Sequence, residues 1–143
     1  MHYFKSKGFT MIELLVVVAI VGILSAVVTT LVTSSKNRSN DTKIKSQMAS
    51  LKKTIEIYGS SNSNNYGTVL NSCTTPSTVF TDVISDTYKF TNTANYPAGT
   101  VLNCYSSGGT WAVSASLSSN YWCVDYNGKT QQKAIAITGP TCS

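Results

Sequence analysis

Three stretches differ in how apolar residues recur along the chain. Residues 14–35 form a run of 22 positions without an ionisable side chain. Roughly 20 apolar residues in a helix cross about 30 Å of hydrocarbon. The run is apolar on every side, which suits a helix buried all round, in lipid or among other helices. Its valines and isoleucines are mediocre helix formers in water. Lipid overrides that preference, because the backbone there must satisfy its own hydrogen bonds. Residues 36–58 change character. Ile44, Met48, Leu51, Ile55 and Tyr58 are spaced 4, 3, 4 and 3, which is one helical face. Lys43, Lys45, Lys52 and Lys53 fall on other faces. Gly59 and the polar run 60–65 predict the end of the helix. Residues 37–40 are a polar patch where it could fray. A continuous helix over residues 9–58 would reach about 75 Å at 1.5 Å per residue.

Residues 59–143 read as strands. Segment 110–117 (TWAVSASL) sets Trp111, Val113 and Ala115 against Thr110, Ala112, Ser114 and Ser116. Segment 120–125 (NYWCVD) leads into Asn127-Gly128, a strong hairpin signal, and 133–138 (KAIAIT) is the expected return strand. Segments 79–83 and 101–105 are expected to add a short helix or strands. The predicted fold is α+β: a long N-terminal helix, apolar in its first half and amphipathic in its second, packed on a small antiparallel sheet.

The junction before the apolar run carries the chemistry. It reads Lys7-Gly8-Phe9-Thr10-Met11-Ile12-Glu13-Leu14. An acidic residue costs about 2.5–3.5 kcal/mol at mid-bilayer, less near an interface, so Glu13 calls for a partner. A secretory signal cut after the apolar core fits poorly. Its best site, Leu24-Ser25-Ala26, has leucine where a small residue belongs, and Glu13 interrupts the apolar region. An uncleaved signal anchor is a second reading. The third is cleavage before the run.

The third reading matches a family. Gly8-Phe9-Thr10-Met11-Ile12-Glu13-Leu14 resembles the class III signal of type IV pilins and type II secretion pseudopilins. The resemblance covers residues 5 to about 38, and only architecture is similar beyond. It implies removal of a leader, residues 1–8, by a prepilin peptidase cutting between Gly8 and Phe9. It implies N-methylation of Phe9 and a role for Glu13 in assembly, pairing with the Phe9 amine of a neighbouring subunit. Alternatively Glu13 neutralises its own helix terminus, where negative charge is favoured. Many family members carry proline where this chain has Thr30, so a proline kink is unavailable. Gly22 offers local loosening instead.

Charge sharpens the picture. The chain is formally +5, and loss of Lys5 and Lys7 with the leader leaves +3. Residues 59–143 are neutral, so the excess lies on the connecting helix. That favours a solvated face near anionic headgroups, with nucleic-acid binding as the rival reading. The four cysteines, Cys73, Cys104, Cys123 and Cys142, all follow the helix and suit an oxidising exterior. They allow three pairings. Cys73–Cys104 and Cys123–Cys142 are favoured, the second by likeness to the disulfide-bounded C-terminal region of pilins. None has the short spacing of a zinc site. The sole histidine, His2, falls in the leader, so no triad or acid–base constellation is expected on the mature chain. Asp125 reads as a turn residue.

The expected organisation is a leader (1–8), a helix (9–58, with its membrane or filament-core half over 9–35 and its amphipathic half over 36–58) and a disulfide-stapled domain (59–143). The expected function is structural, not enzymatic, with no cofactor and no metal: a subunit of a type IV pilus-like surface filament. Its partners would be its own copies and related pilins, the prepilin peptidase and a membrane assembly platform. It would begin as a single-pass membrane precursor and end in an extracellular filament. The alternatives are a minor or competence pilin that binds DNA or surfaces, and a type II secretion pseudopilin.

Overall fold

The computed structural model describes residues 8–143; His2, Lys5, Lys7 and most of the expected leader lie outside the described residues. The chain divides into two compact units, Met1–Asn37 and Arg38–Ser143. One helix, α1 (Met11–Ser61), contributes to both.

In the first unit every large apolar side chain from Phe9 to Val32 is at least half exposed, Val16 being least so at 50%. Among the described residues α1 is the helix long and apolar enough to cross a membrane. Its hydroxyls turn back onto the helix. Ser25 donates to the Val21 carbonyl (2.7 Å), Thr29 to Ser25 (2.9 Å), Thr30 to Val27 (2.9 Å) and Thr33 to Thr29 (3.1 Å). Each such bond removes a polar group that lipid could not satisfy. Gly22 and Thr30 both lie within the helix.

In the second unit the predicted stripe of α1 meets an antiparallel sheet. Strands β1 (Leu102–Ser107), β2 (Thr110–Ser116), β3 (Tyr121–Asp125) and β4 (Thr130–Lys133) lie in the order β1-β2-β3-β4. Ile44, Met48, Leu51 and Ile55 are buried with Cys104, Trp111, Val113, Ala115 and Val124, and Tyr58 packs partly buried against them. Each fully buried aliphatic or aromatic side chain contributes about 1.5–3 kcal/mol relative to exposure. Polar side chains of α1 add fixed points. Asp41 accepts from the Ser118 amide (2.9 Å) and hydroxyl (2.8 Å) in the β2–β3 loop. Lys52 donates to the Gly128 carbonyl (3.2 Å), and the Lys45 ammonium sits 4.7 Å from the Trp122 ring centroid.

Between α1 and β1 the chain forms one short helix, α2 (Thr87–Thr91), and 3-10 turns at Val79–Thr81 and Thr93–Asn95. Val69 pairs with Ser106 through two backbone bonds (2.9 and 3.1 Å), and the Ser72 amide reaches the Cys104 carbonyl (3.1 Å). These bonds cover the outer edge of β1, which would otherwise invite pairing with another chain.

Three expectations need correction. First, α1 continues through Gly59 to Ser61. Gly59 is buried, and a Cβ there would lie 2.5 Å from the Tyr66 hydroxyl oxygen. Glycine is required by the returning chain, not by a helix stop. Second, the helix persists through the polar patch 37–40. Third, the return strand is Thr130–Lys133, not 133–138. The loop Tyr126-Asn127-Gly128, with Gly128 at φ 78°, places Thr130 opposite Val124. The ladder therefore ends when Lys133 meets Tyr121, where β3 begins. The following segment crosses the outer face instead. Ile137 and Cys142 pack there on Ala112 and Cys123, so the centre of β2 is buried on both sides.

Candidate functional site at the start of α1

Gly8, Phe9 and Thr10 precede the first helical residue, Met11. The first amides of a helix have no partner within it. Here Thr10 and Glu13 satisfy two of them reciprocally. The Glu13 amide donates to the Thr10 hydroxyl oxygen (3.3 Å), and the Thr10 amide donates to Glu13 Oε2 (2.8 Å). The Thr10 hydroxyl also donates to Oε2, at 2.7 Å. This is a capping box, the Thr-x-x-Glu arrangement that starts helices. Thr10 was not among the expected site residues, although that spacing ahead of an apolar run is its signal in the sequence.

The box holds one carboxylate oxygen of Glu13 on its own chain. The other, Oε1, has no donor among the described residues. Phe9 is 84% exposed. Phe9, Ile12, Val16 and Val17 line, with Glu13, an apolar groove of about 310 Å³. A carboxylate with a free oxygen thus borders an uncovered apolar surface, one helical turn from Phe9.

The four cysteines form two disulfides in the second unit. Cys73 is bonded to Cys104, joining the loop after α1 to β1, and Cys123 to Cys142, joining β3 to the covering segment. Asp125 is 2% exposed and does more than make a turn. Its Oδ1 accepts from the Asn127 and Lys129 amides (both 3.1 Å), and its Oδ2 accepts from the Cys142 amide (2.9 Å). Gln131 and Lys133 donate to the Cys142 carbonyl. Among the described residues no three His, Cys, Asp or Glu side chains converge to hold a metal. Two of the five lysines on the amphipathic half of α1, Lys45 and Lys52, are engaged within the unit.

An exposed apolar helix with a capped carboxylate in its first turn, continued into a disulfide-closed α+β unit, is a pilin-like arrangement. Comparison with known proteins agrees. The prokaryotic N-terminal methylation motif matches residues 3–29. The type IV wide pilus major component PilA4 of Thermus thermophilus is 41% identical over 54 residues, which are 38% of this chain and 41% of that relative. The chain thus matches well under two thirds of that relative's length. No solved structure matches. The N-terminal region of the chain is thus similar to those of type IV pilins.

Proposed function

We propose that this chain is a structural subunit of a type IV pilus-like surface filament. It is made as a single-pass membrane precursor, cut between Gly8 and Phe9 by a prepilin peptidase and methylated on the Phe9 nitrogen. A membrane assembly platform then passes it into a helical polymer of its own copies and related pilins. The observation that carries this reading is the apolar surface of α1 from Phe9 to Val32, uncovered on all sides and broken by a single carboxylate. Soluble monomers rarely expose contiguous apolar patches beyond a few hundred Å², so this surface calls for lipid first and other helices afterwards.

Glu13 supplies the register. In the precursor its Oε2 is held by Thr10, which limits the cost of placing a carboxylate at the membrane edge. Once Gly8 is removed, the Phe9 amine of an adjacent subunit becomes a donor for Oε1. An unpaired buried charge is strongly destabilising and a paired one much less so, so mismatched axial positions are rejected. Contacts of this head-to-tail kind do not close, and they generate filaments.

The test is mass spectrometry of protein recovered from sheared surface filaments, with electron microscopy of the same material. The expected mature chain starts at a methylated Phe9 and is found along the fibres. A chain that keeps residues 1–8, or that is absent from fibres, refutes the proposal. Glu13→Ala is expected to be processed normally yet to form no filaments.

A further inference from the structure

The segment between α1 and β1 closes over a cleft of about 370 Å³ that no role above uses. Its lining includes Phe80, which is fully buried, together with Leu102 and Cys73 of the Cys73–Cys104 bridge. The Tyr88 ring, 40% exposed, adds an accessible aromatic surface. Two lining hydroxyls are spent inward: Thr81 donates to the Thr75 carbonyl (3.0 Å) and Thr91 to the Phe80 carbonyl (2.6 Å). They fix the wall. Asn92 accepts from the Ala94 amide through its side-chain oxygen (2.9 Å), which leaves its NH₂ group for a ligand. That group and the hydroxyls of Tyr88, Thr74 and Thr93 have no partner among the described residues.

No lining residue is charged at neutral pH. Lys89 holds its ammonium 5.9 Å from the Tyr88 ring centroid but pairs with Asp86 at 2.9 Å, so it brings no net charge to the cleft. A charged ligand would lose hydration here without gaining a counter-charge. A wholly apolar ligand would leave the amide and hydroxyls unpaired. A pyranose ring meets both demands, having an apolar face for Tyr88 and hydroxyls that donate and accept. We propose that this cleft is a binding site for a neutral hexose or N-acetylhexosamine, stacked on Tyr88 and hydrogen-bonded by Asn92. Its volume is near the lower end for ligand sites, which suits a mono- or disaccharide.

The test is saturation-transfer NMR on the full chain in deuterated detergent micelles, with galactose, N-acetylglucosamine and glucuronate as probes. Saturable transfer is expected from at least one neutral sugar, at about millimolar affinity, and more weakly from glucuronate. Tyr88→Ala and Asn92→Ala are each expected to weaken binding about tenfold. Tyr126→Ala, in the β3–β4 turn, is expected to leave it unchanged. Tryptophan fluorescence of each variant reports whether the sheet remains folded. The proposal is overturned if neither neutral sugar gives saturable transfer, if glucuronate binds equally well, or if folded Tyr88→Ala and Asn92→Ala both bind as the parent does.

Discussion

Asp125 fastens two parts of the fold with one side chain, and its removal gives a measurable prediction. In Asp125→Ala three amides lose their acceptor: Asn127, Lys129 and Cys142. Hydrogen bonds to charged groups contribute about 1.5–3 kcal/mol each, and an orphaned buried donor costs about 1–3 kcal/mol. The three losses are not equal. Asn127 and Lys129 are exposed, so water replaces most of what the carboxylate gave them. Cys142 is fully buried, and its amide has no substitute. Removing a buried charge also returns part of its desolvation cost. The balance is a destabilisation of about 2–4 kcal/mol. For a unit near 100 residues each kcal/mol lowers the melting temperature by about 4–8 °C, so a fall of about 10–25 °C is expected. Trp111 and Trp122 both belong to the sheet unit, so tryptophan fluorescence follows its melting independently of the apolar helix. Hydrogen exchange should show the Cys142 amide losing protection before the core of β2 does. Asp125→Asn keeps an acceptor for the turn but sets an NH₂ group against the Cys142 amide, and an intermediate loss is expected. A melting temperature for Asp125→Ala within about 2 °C of the parent would refute the reasoning.

Other consequences are equally open to measurement. Thr10→Val removes the hydroxyl of the capping box; loss of such a cap costs about 0.5–2 kcal/mol, and hydrogen exchange of the first turn of α1 in micelles should quicken. Burial raises the Tyr96 hydroxyl pKa well above its usual value, and that hydroxyl donates to the Phe90 carbonyl at 2.7 Å. Its contribution to stability is therefore complete below about pH 10, the unfolded value, and is lost as pH rises beyond it. Stability measured from pH 8 to 11 should fall less steeply in Tyr96→Phe, after an initial loss of about 0.5–1.5 kcal/mol at neutral pH. Gly59→Ala improves helix propensity by about 1 kcal/mol but drives a methyl toward Tyr66 and Asn64; the overpacking term of about 1–3 kcal/mol should win, read as a lower melting temperature. Cys123→Ser with Cys142→Ser opens a loop with a sequence separation of 19; a loss of about 3 kcal/mol is expected in denaturant titration.

The elements legible in the sequence were those set by local pattern. The stripe Ile44, Met48, Leu51, Ile55 and Tyr58 declares one helical face, and Asn127-Gly128 declares a turn; both need only neighbours in the chain. The position of β4 depends on a tertiary fact, the residue at which β3 begins. An alternating segment such as KAIAIT cannot reveal that its ladder has already run out. Gly59 misled for a related reason, since the side chain that requires a glycine there, Tyr66, returns from beyond the helix. At the N-terminal site Glu13 stood out because a carboxylate is costly in an apolar run. Thr10 drew no notice, because a hydroxyl beside a helix start is unremarkable until its geometry is seen. The cleft around Tyr88 and Asn92 was hidden entirely, being assembled from loop residues that share no periodicity.

The segment carrying Ile137 and Cys142 lays the outer cover on β2 and is gripped by Asp125 and Cys123. A strand so enclosed cannot be completed by the residues that precede it. If α1 anchors the precursor while the remainder emerges across a bilayer, β2 waits half-clothed until this late portion arrives and its thiol meets an oxidant. The fold thus has a built-in order of assembly in time. Export machinery that lacked a thiol oxidase would yield subunits able to anchor but slow to mature, and vulnerable to surface proteases in the interval.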